Sequence, residues 1–198
     1  MKRILLLACF TALVSCTFNN DESELCFIGD SITYLWDLEY YFPGYILHKH
    51  AVSGAGLKHL DTWDVADCSG KPTVLLIGTN DIGLWKSTEP NIDELRTQFK
   101  NRFLKSAKRI NADPLYVLSI LPRNEWGKQD PLVNENIKVQ NGILREALEQ
   151  ELPHSEFIDV YDLFIRSDLE IREDLFKDGL HPNDYGYEIL AKKVQDAL

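Results

Sequence analysis

A serine hydroxyl becomes a nucleophile near neutral pH when a base takes its proton and a carboxylate orients that base. The residue types for this stand at two places, Gly29-Asp30-Ser31 and Asp178-Gly179-Leu180-His181-Pro182. In the second, the acid and the imidazole lie three residues apart, and a tight turn lets one peptide supply both. Ser31 follows a short apolar run that ends in glycine. At a strand-to-helix turn its hydroxyl would be exposed, and the helix N-terminus would favour negative charge building on a nearby oxygen. Two blocks between them offer hydrogen-bond donors. Ser53-Gly54-Ala55-Gly56 has glycines whose N–H groups can approach a ligand closely, and Gly78-Thr79-Asn80-Asp81 carries a side-chain amide. Each block alone has a plain structural alternative: a capping serine, a glycine turn, an asparagine bonded to its own backbone, a capping aspartate.

The elements that must position these groups follow from hydropathy. Apolar runs at 25–29, 45–52, 73–78, 115–121 and 156–160 read as strands, and segments of helical period separate them. Over 91–110, Ile92, Leu95, Phe99, Phe103, Ala107 and Ile110 recur at three- and four-residue spacing, with Pro90 closing the loop before them. A second helix is predicted over 133–150, ended by Pro153, and a third over 184–197, capped by Asn183. Strands alternating with helices predict an α/β fold, a three-layer α/β/α sandwich on a flavodoxin-like five-stranded parallel sheet. Sites on such sheets form at the carboxyl ends of the strands, where three of the four blocks fall, the Asp178–His181 turn standing just before the last helix.

In that order the four blocks resemble those of the SGNH (GDSL-type) hydrolases, over essentially the whole chain after its first residues. The resemblance implies that fold and a serine esterase. Ser31 would be the nucleophile, with His181 and Asp178 completing the triad. The N–H groups of Ser31 and Gly54 with the Asn80 side chain would form the oxyanion hole. Gly56 competes for the second block, but Gly54 follows a hydrophobic-Ser pair as the family glycine does. Ala55 departs from the commoner acidic neighbour. Asp30 and Asp81 receive supporting roles. The resemblance extends to lipoprotein members of the short-chain acyl esterase and platelet-activating-factor acetylhydrolase-like branch, and it implies no cofactor and no metal.

The substrate expected is a small acylated molecule, O-acetylated carbohydrate being favoured. The alternatives are a lysophospholipase, thioesterase or platelet-activating-factor acetylhydrolase-like activity, and a non-catalytic glycan-binding surface lipoprotein. Trp36, Trp85, Trp126 and Arg123 fall near strand ends and are expected as substrate contacts, against core packing for the tryptophans and a loop salt bridge for the arginine. His48 and His50, two apart on a strand, face one side; with no third ligand evident in the sequence, they read as surface residues.

Met1-Lys2-Arg3 followed by an uncharged run has the form of a secretory signal, too short for a helical membrane span. Leu13-Val14-Ser15-Cys16 resembles a lipobox, so the expected organisation is a lipoprotein signal over 1–15, a tether over 16–24 lipidated at Cys16, and one hydrolase domain over 25–198. The protein would then be exported and anchored at a membrane, in the periplasm or at the cell surface. The formal net charge is -10, and losing Lys2 and Arg3 makes it about -12. That balance opposes nucleic acid and anionic lipid as partners. Cys26 and Cys68 would stay in the domain; export permits a disulfide, but a domain this large does not need one, and two buried thiols are expected.

Overall fold

A computed structural model describes residues 23–83, 85, 90–124 and 128–198; the expected signal, Cys16 and most of the tether lie outside them, as does Trp126. Five strands, β1 (Glu24–Gly29), β2 (Ile46–Ala51), β3 (Thr73–Leu76), β4 (Leu115–Leu118) and β5 (Ser155–Ile158), form one sheet in the order β2-β1-β3-β4-β5. Every neighbouring pair is parallel. The fold is the predicted α/β sandwich.

Successive side chains along a strand face opposite ways, and each face carries its own core. Cys26, Ile28, Leu75, Leu115 and Val117 pack on one side beneath α5 (Ile92–Ile110) and α6 (Pro131–Glu151), through Phe99, Phe103, Ile110, Ile137 and Leu144. Leu25, Phe27, Val74, Leu76 and Leu118 face the other way, against Tyr187, Leu190 and Val194 of α8 (Asp184–Ala197). Burial on both sides explains why β1, β3 and β4 read as unbroken apolar runs. Short helices follow four of the strands: α1 (Ser31–Tyr34) and α2 (Leu38–Tyr41) after β1, α3 (Leu57–Leu60) after β2, α4 (Thr79–Ile82) after β3 and α7 (Tyr161–Phe164) after β5. At four residues each, they are too short to leave a periodic signal.

The strands end earlier than their apolar runs because side chains take over the backbone hydrogen bonds. Beyond β4, Ile120 is bracketed by Asn141 of α6: its N–H donates to Oδ1 and its carbonyl accepts from Nδ2, both at 2.9 Å. The Ser119 hydroxyl accepts from the N–H groups of Val160 and Tyr161 beyond β5. Helix α6 starts two residues earlier than expected, with Asp130 accepting from the Val133 N–H and Pro131 in the first turn. Asn111, at φ 54°, ends α5 in the left-handed conformation.

The expectation of two free thiols is overturned. Cys26 and Cys68 form a disulfide between β1 and the turn before β3, with Cα atoms 5.7 Å apart. Cys26 points from its strand toward the layer beneath which the turn at Ala66–Cys68 packs, and the two sulfurs meet inside the core. No helix among the described residues is long and apolar enough to cross a membrane.

Candidate active site

At the carboxyl end of β1 the chain turns sharply into α1. Asp30 is the N-cap, its Oδ1 accepting from the Ile32 N–H at 2.9 Å, so Ser31 becomes the first helical residue. Gly29 is required here: a Cβ would stand 2.1 Å from Thr33 Oγ1 and 2.4 Å from the Leu76 carbonyl oxygen. The Ser31 hydroxyl lies 2.9 Å from Nε2 of His181. On the other side of the ring, Nδ1 lies 2.7 Å from Asp178 Oδ2. The second oxygen of Asp178 accepts from the N–H groups of Leu180, at 3.0 Å, and His181, at 2.8 Å. Burial pushes the Asp178 carboxyl up, but the His181 ring and these N–H groups outweigh it and hold it below the ordinary aspartate value. The three groups form a continuous relay from hydroxyl to carboxylate.

The loop carrying Asp178 and His181 is clamped at both ends. The Lys177 N–H donates to the His181 carbonyl at 2.8 Å, and the Asn124 N–H, past β4, donates to the Gly179 carbonyl at 2.8 Å. Gly179 has φ 83°, and a Cβ there would stand 1.8 Å from Asn124 Oδ1. Below the loop, Asn183 caps α8 through Gly186 and donates to the Asp174 carbonyl.

Gly54, at φ 76°, lies three residues past Ala51, the register partner of Gly29. Asn80 lies four past Leu76, the partner of Gly29 on the other side. Register therefore brings Ser31, Gly54 and Asn80 to one sheet edge on adjacent strands. The Asn80 amide donates to the Ala55 carbonyl at 2.8 Å, tying α4 to the Gly54 turn, and among the described residues nothing accepts from its second N–H. Gly54 and Gly56 differ in their hydrogen bonds. The Gly56 N–H donates to His59 Nδ1 at 3.0 Å, whereas among the described residues nothing accepts from the Gly54 N–H. Gly56 serves another purpose: a Cβ there would lie 2.7 Å from Asp81, whose carboxylate accepts from the Leu57 N–H.

Of two aspartates at this edge, Asp30 is buried and Asp81 partly buried. Burial raises the Asp30 carboxyl to about 7; the Ile32 N–H opposes that rise, nearby Asp81 adds to it, and Arg123 opposes it. Asp81 is raised by burial too, against the Leu57 N–H. Neither hydrogen-bonds to the hydroxyl–imidazole–carboxylate relay.

A cleft of about 730 Å³ adjoins this edge, lined by Gly54, His59, Asn80, Trp85, Gln98 and Arg102 among others. Trp85 is half-buried there, edge-on to Phe99. Trp36 is not a substrate contact: at 1% exposure it packs against Phe27, Phe42 and Tyr187 in the α8-side core. Helix α1 is only one turn long, so the chain has already folded back onto the sheet by residue 36. Arg123 is half-buried behind α4, its guanidinium directed at the Thr79 and Asn124 carbonyls and filling the space where a Gly83 Cβ would be. It supports the helix that carries Asn80. The sequence alone gives Asn141 no role; Asn134, Asn136, Gln140 and Asn141 are all buried and line one side of α6 with polar anchors.

Known proteins bear on this geometry. Residues 27–189 match the model of the GDSL-like lipase/acylhydrolase family. No curated protein matches the chain. Among solved structures, one described as a candidate platelet activating factor from Streptococcus pneumonia is 26% identical, with a TM-score of 0.66, covering 91% of this chain and 86% of that one. A GDSL-like lipase from Bacteroides thetaiotaomicron is 19% identical, with a TM-score of 0.66, covering 89% and 87%. An acetylxylan esterase from Geobacillus stearothermophilus is 18% identical, with a TM-score of 0.61, covering 88% and 93%. The family match spans the strand-end serine, the donor turns and the Asp178–His181 loop, and the chain belongs to the GDSL-like lipase/acylhydrolase family of carboxylic ester hydrolases.

Proposed function

We propose that the protein is a serine esterase that removes short acyl groups, O-acetyl groups on carbohydrate being the favoured substrate. The observation that carries the catalytic part is His181, hydrogen-bonded to Ser31 at Nε2 and to Asp178 at Nδ1. His181 takes the hydroxyl proton as Ser31 Oγ bonds to the ester carbonyl carbon. Negative charge moves to the carbonyl oxygen, which accepts from the N–H groups of Ser31 and Gly54 and from the Asn80 amide. The tetrahedral species collapses, the bond to the alcohol oxygen breaks, and His181 returns the proton to that oxygen. Water, deprotonated by His181, then releases the acid from Ser31. Asp178 keeps Nδ1 protonated and stabilises the imidazolium in both halves.

The carbohydrate part is supported by the cleft beside Asn80, which offers an indole and the polar groups of Gln98, Asn101 and Arg102 within about the volume of a small ligand. The acetylxylan esterase fold supports the same substrate class. Cys16 as a lipidated N-terminus agrees with it too. β1 begins at Glu24, at the sheet edge opposite Ser31, and its six residues separate the two edges by about 20 Å. A lipid anchor near residue 16 would thus point the catalytic edge away from the membrane. A second reading, acetyl removal from a phospholipid, is favoured by the Streptococcus pneumonia likeness.

The deciding experiment measures acetate release from acetylated oligosaccharides and from an acetylated phospholipid, with Ser31→Ala as the control. Release from the sugars alone supports the proposal, release from the phospholipid alone replaces its substrate, and no difference from Ser31→Ala on either or on p-nitrophenyl acetate removes the esterase itself. Palmitate labelling of the chain in its host, abolished by Cys16→Ala, tests the anchor.

A further inference from the structure

The cleft beside Asn80 has a charge opposite to that of the chain. The formal net charge of the protein is -10, yet the described residues lining this cleft bring two cations, Lys58 and Arg102, and the imidazole of His59 against one carboxylate, Asp81. Helix α3 supplies Lys58 and His59, and α5, packed against it, supplies Arg102. The Nδ1 atom of His59 accepts from the Gly56 N–H at 3.0 Å, so the neutral ring carries its proton at Nε2, as a donor. Arg102 differs from Arg109, two turns further along α5. Arg109 locks the end of α3, its guanidinium donating to the Trp63 and Leu60 carbonyls. Arg102 is half exposed, and its ion pair is with Asp61, whose Oδ2 is 3.6 Å from Nε, beyond hydrogen-bond reach. Among the described residues nothing accepts a hydrogen bond from its guanidinium. The carboxylates around it are engaged: Asp61 accepts from the Ser106 hydroxyl at 2.9 Å, Glu94 from the Gln98 amide at 3.1 Å and Asp81 from the Leu57 N–H at 3.1 Å. Burial raises the Asp81 carboxyl, and the Leu57 N–H, Arg102 and His59 oppose that rise, so both side chains act on the carboxylate next to Asn80.

We propose that Arg102 and His59 bind a carboxylate on the alcohol part of the substrate, so that the preferred substrate is an O-acetylated uronic acid rather than a neutral sugar. The inference rests on the esterase reading, with the alcohol part in this cleft. Gly54 and Asn80, the proposed oxyanion donors, line the same cleft, so an ester held by them has its alcohol part beside these cations. A guanidinium fork matches a carboxylate with two parallel hydrogen bonds, which a lysine ammonium cannot do. The indole of Trp85 offers an apolar surface for the sugar ring. Cations gathered in a cleft let a chain of negative net charge accept an anion. A sugar carboxylate suits them better than the phosphate of a choline phospholipid, whose ammonium they repel.

The test compares kcat/KM for acetate release from acetylated methyl glycosides of glucuronic acid and glucose, and of galacturonic acid and galactose, pairs that differ only at the carboxylate. The uronosides should be favoured about 10- to 100-fold, the worth of a charge-assisted hydrogen bond. The difference should lie in KM, because the contact is the same before and during the chemical step. Arg102→Gln should remove the preference, and Arg102→Lys should keep part of it. His59→Asn, whose side-chain oxygen stands in for Nδ1, should reduce it. Lys105→Gln, the same loss of charge elsewhere on α5, should leave it intact, and raised salt should shrink it. Equal kcat/KM within both pairs overturns the inference, as does a preference that survives Arg102→Gln and His59→Asn together. Loss of activity on an acetylated phospholipid in Arg102→Gln, with both sugar pairs equal, assigns the cations to a lipid phosphate and overturns it too. If no glycoside is turned over, calorimetry on Ser31→Ala decides: uronoside binding that disappears in Ser31→Ala/Arg102→Gln supports the inference, and failure to discriminate refutes it. Hydrolysis of p-nitrophenyl acetate by the parent and not by Ser31→Ala keeps the esterase reading separate, since it stands whether or not uronosides are preferred.

Discussion

The proton of Ser31 has an acceptor 2.9 Å away, and the consequences of disturbing that relay are specific to each residue. Asn80 has two functions, donating to Ala55 and, in the proposed mechanism, to the oxyanion. Asn80→Ala should lower kcat about 100- to 1,000-fold while KM moves little. Its stability cost should be about 1 kcal/mol, from the lost Ala55 bond. Turnover close to that of the parent on p-nitrophenyl acetate would remove Asn80 from the oxyanion hole. Asp30 makes a pH prediction. Its carboxyl sits near 7 in the folded chain against 3.8 as a free side chain, so the folded state holds a proton that the unfolded chain releases. A group raised in this way contributes stability below about pH 4 that is lost as pH rises through 7. Asp30→Asn should abolish that slope and gain up to about 4 kcal/mol at pH 8 relative to pH 4, read from urea midpoints across this range. Parallel pH profiles for parent and variant would show that Asp30 ionises normally. Asp178 has the opposite sign: its lowered value gives stability that is present at neutral pH and lost as pH falls through the carboxylate range.

At the level of elements, the catalytic loop is held by its neighbour past β4. Gly179 combines a left-handed backbone with a side chain packed where its Cβ would go, so Gly179→Ala cannot be accommodated without moving Asn124 or the loop. Such strain costs about 1–3 kcal/mol, and displacing His181 by even a fraction of an ångström should reduce kcat at least about tenfold. Unchanged kcat with an unchanged Tm would mean that the loop yields freely. The polar anchors of α6 act similarly. Asn141→Leu leaves the Ile120 N–H and carbonyl buried without partners, and a loss of about 2–5 kcal/mol is expected from chemical denaturation. A cost below 1 kcal/mol would show that solvent reaches the end of β4.

Across the whole molecule, the disulfide closes a loop of 42 residues that includes β2, the Gly54 turn and the short helix α3. Cross-linking a loop of this size stabilises by about 4 kcal/mol through the unfolded chain. The double variant Cys26→Ala/Cys68→Ala should therefore lose a comparable amount while keeping esterase activity at low temperature. A variant as stable as the parent would show the cross-link to be dispensable. Much of this architecture was legible in the residues themselves. Runs such as 25–29 and 73–76 are apolar because both faces of their strands are covered, and the spacing of Phe99, Phe103 and Ile110 declares a helix. Because sites in parallel sheets gather at strand ends, the position of three blocks at the ends of apolar runs was enough to place Ser31, Gly54 and Asn80 at one edge, and only the resemblance brought His181 to them. What the tertiary structure alone decided concerns partners distant in sequence. Trp36 lies in the core because α1 lasts one turn, and among the described residues nothing accepts from the Gly54 N–H, whereas His59 folds back onto that of Gly56. Cys26 meets Cys68, and Asp67 meets His48 and His50, because a parallel sheet brings its strand starts together. Local spacing encodes periodicity and turns, whereas pairing across a sheet is set by register and packing, which no single stretch of chain contains.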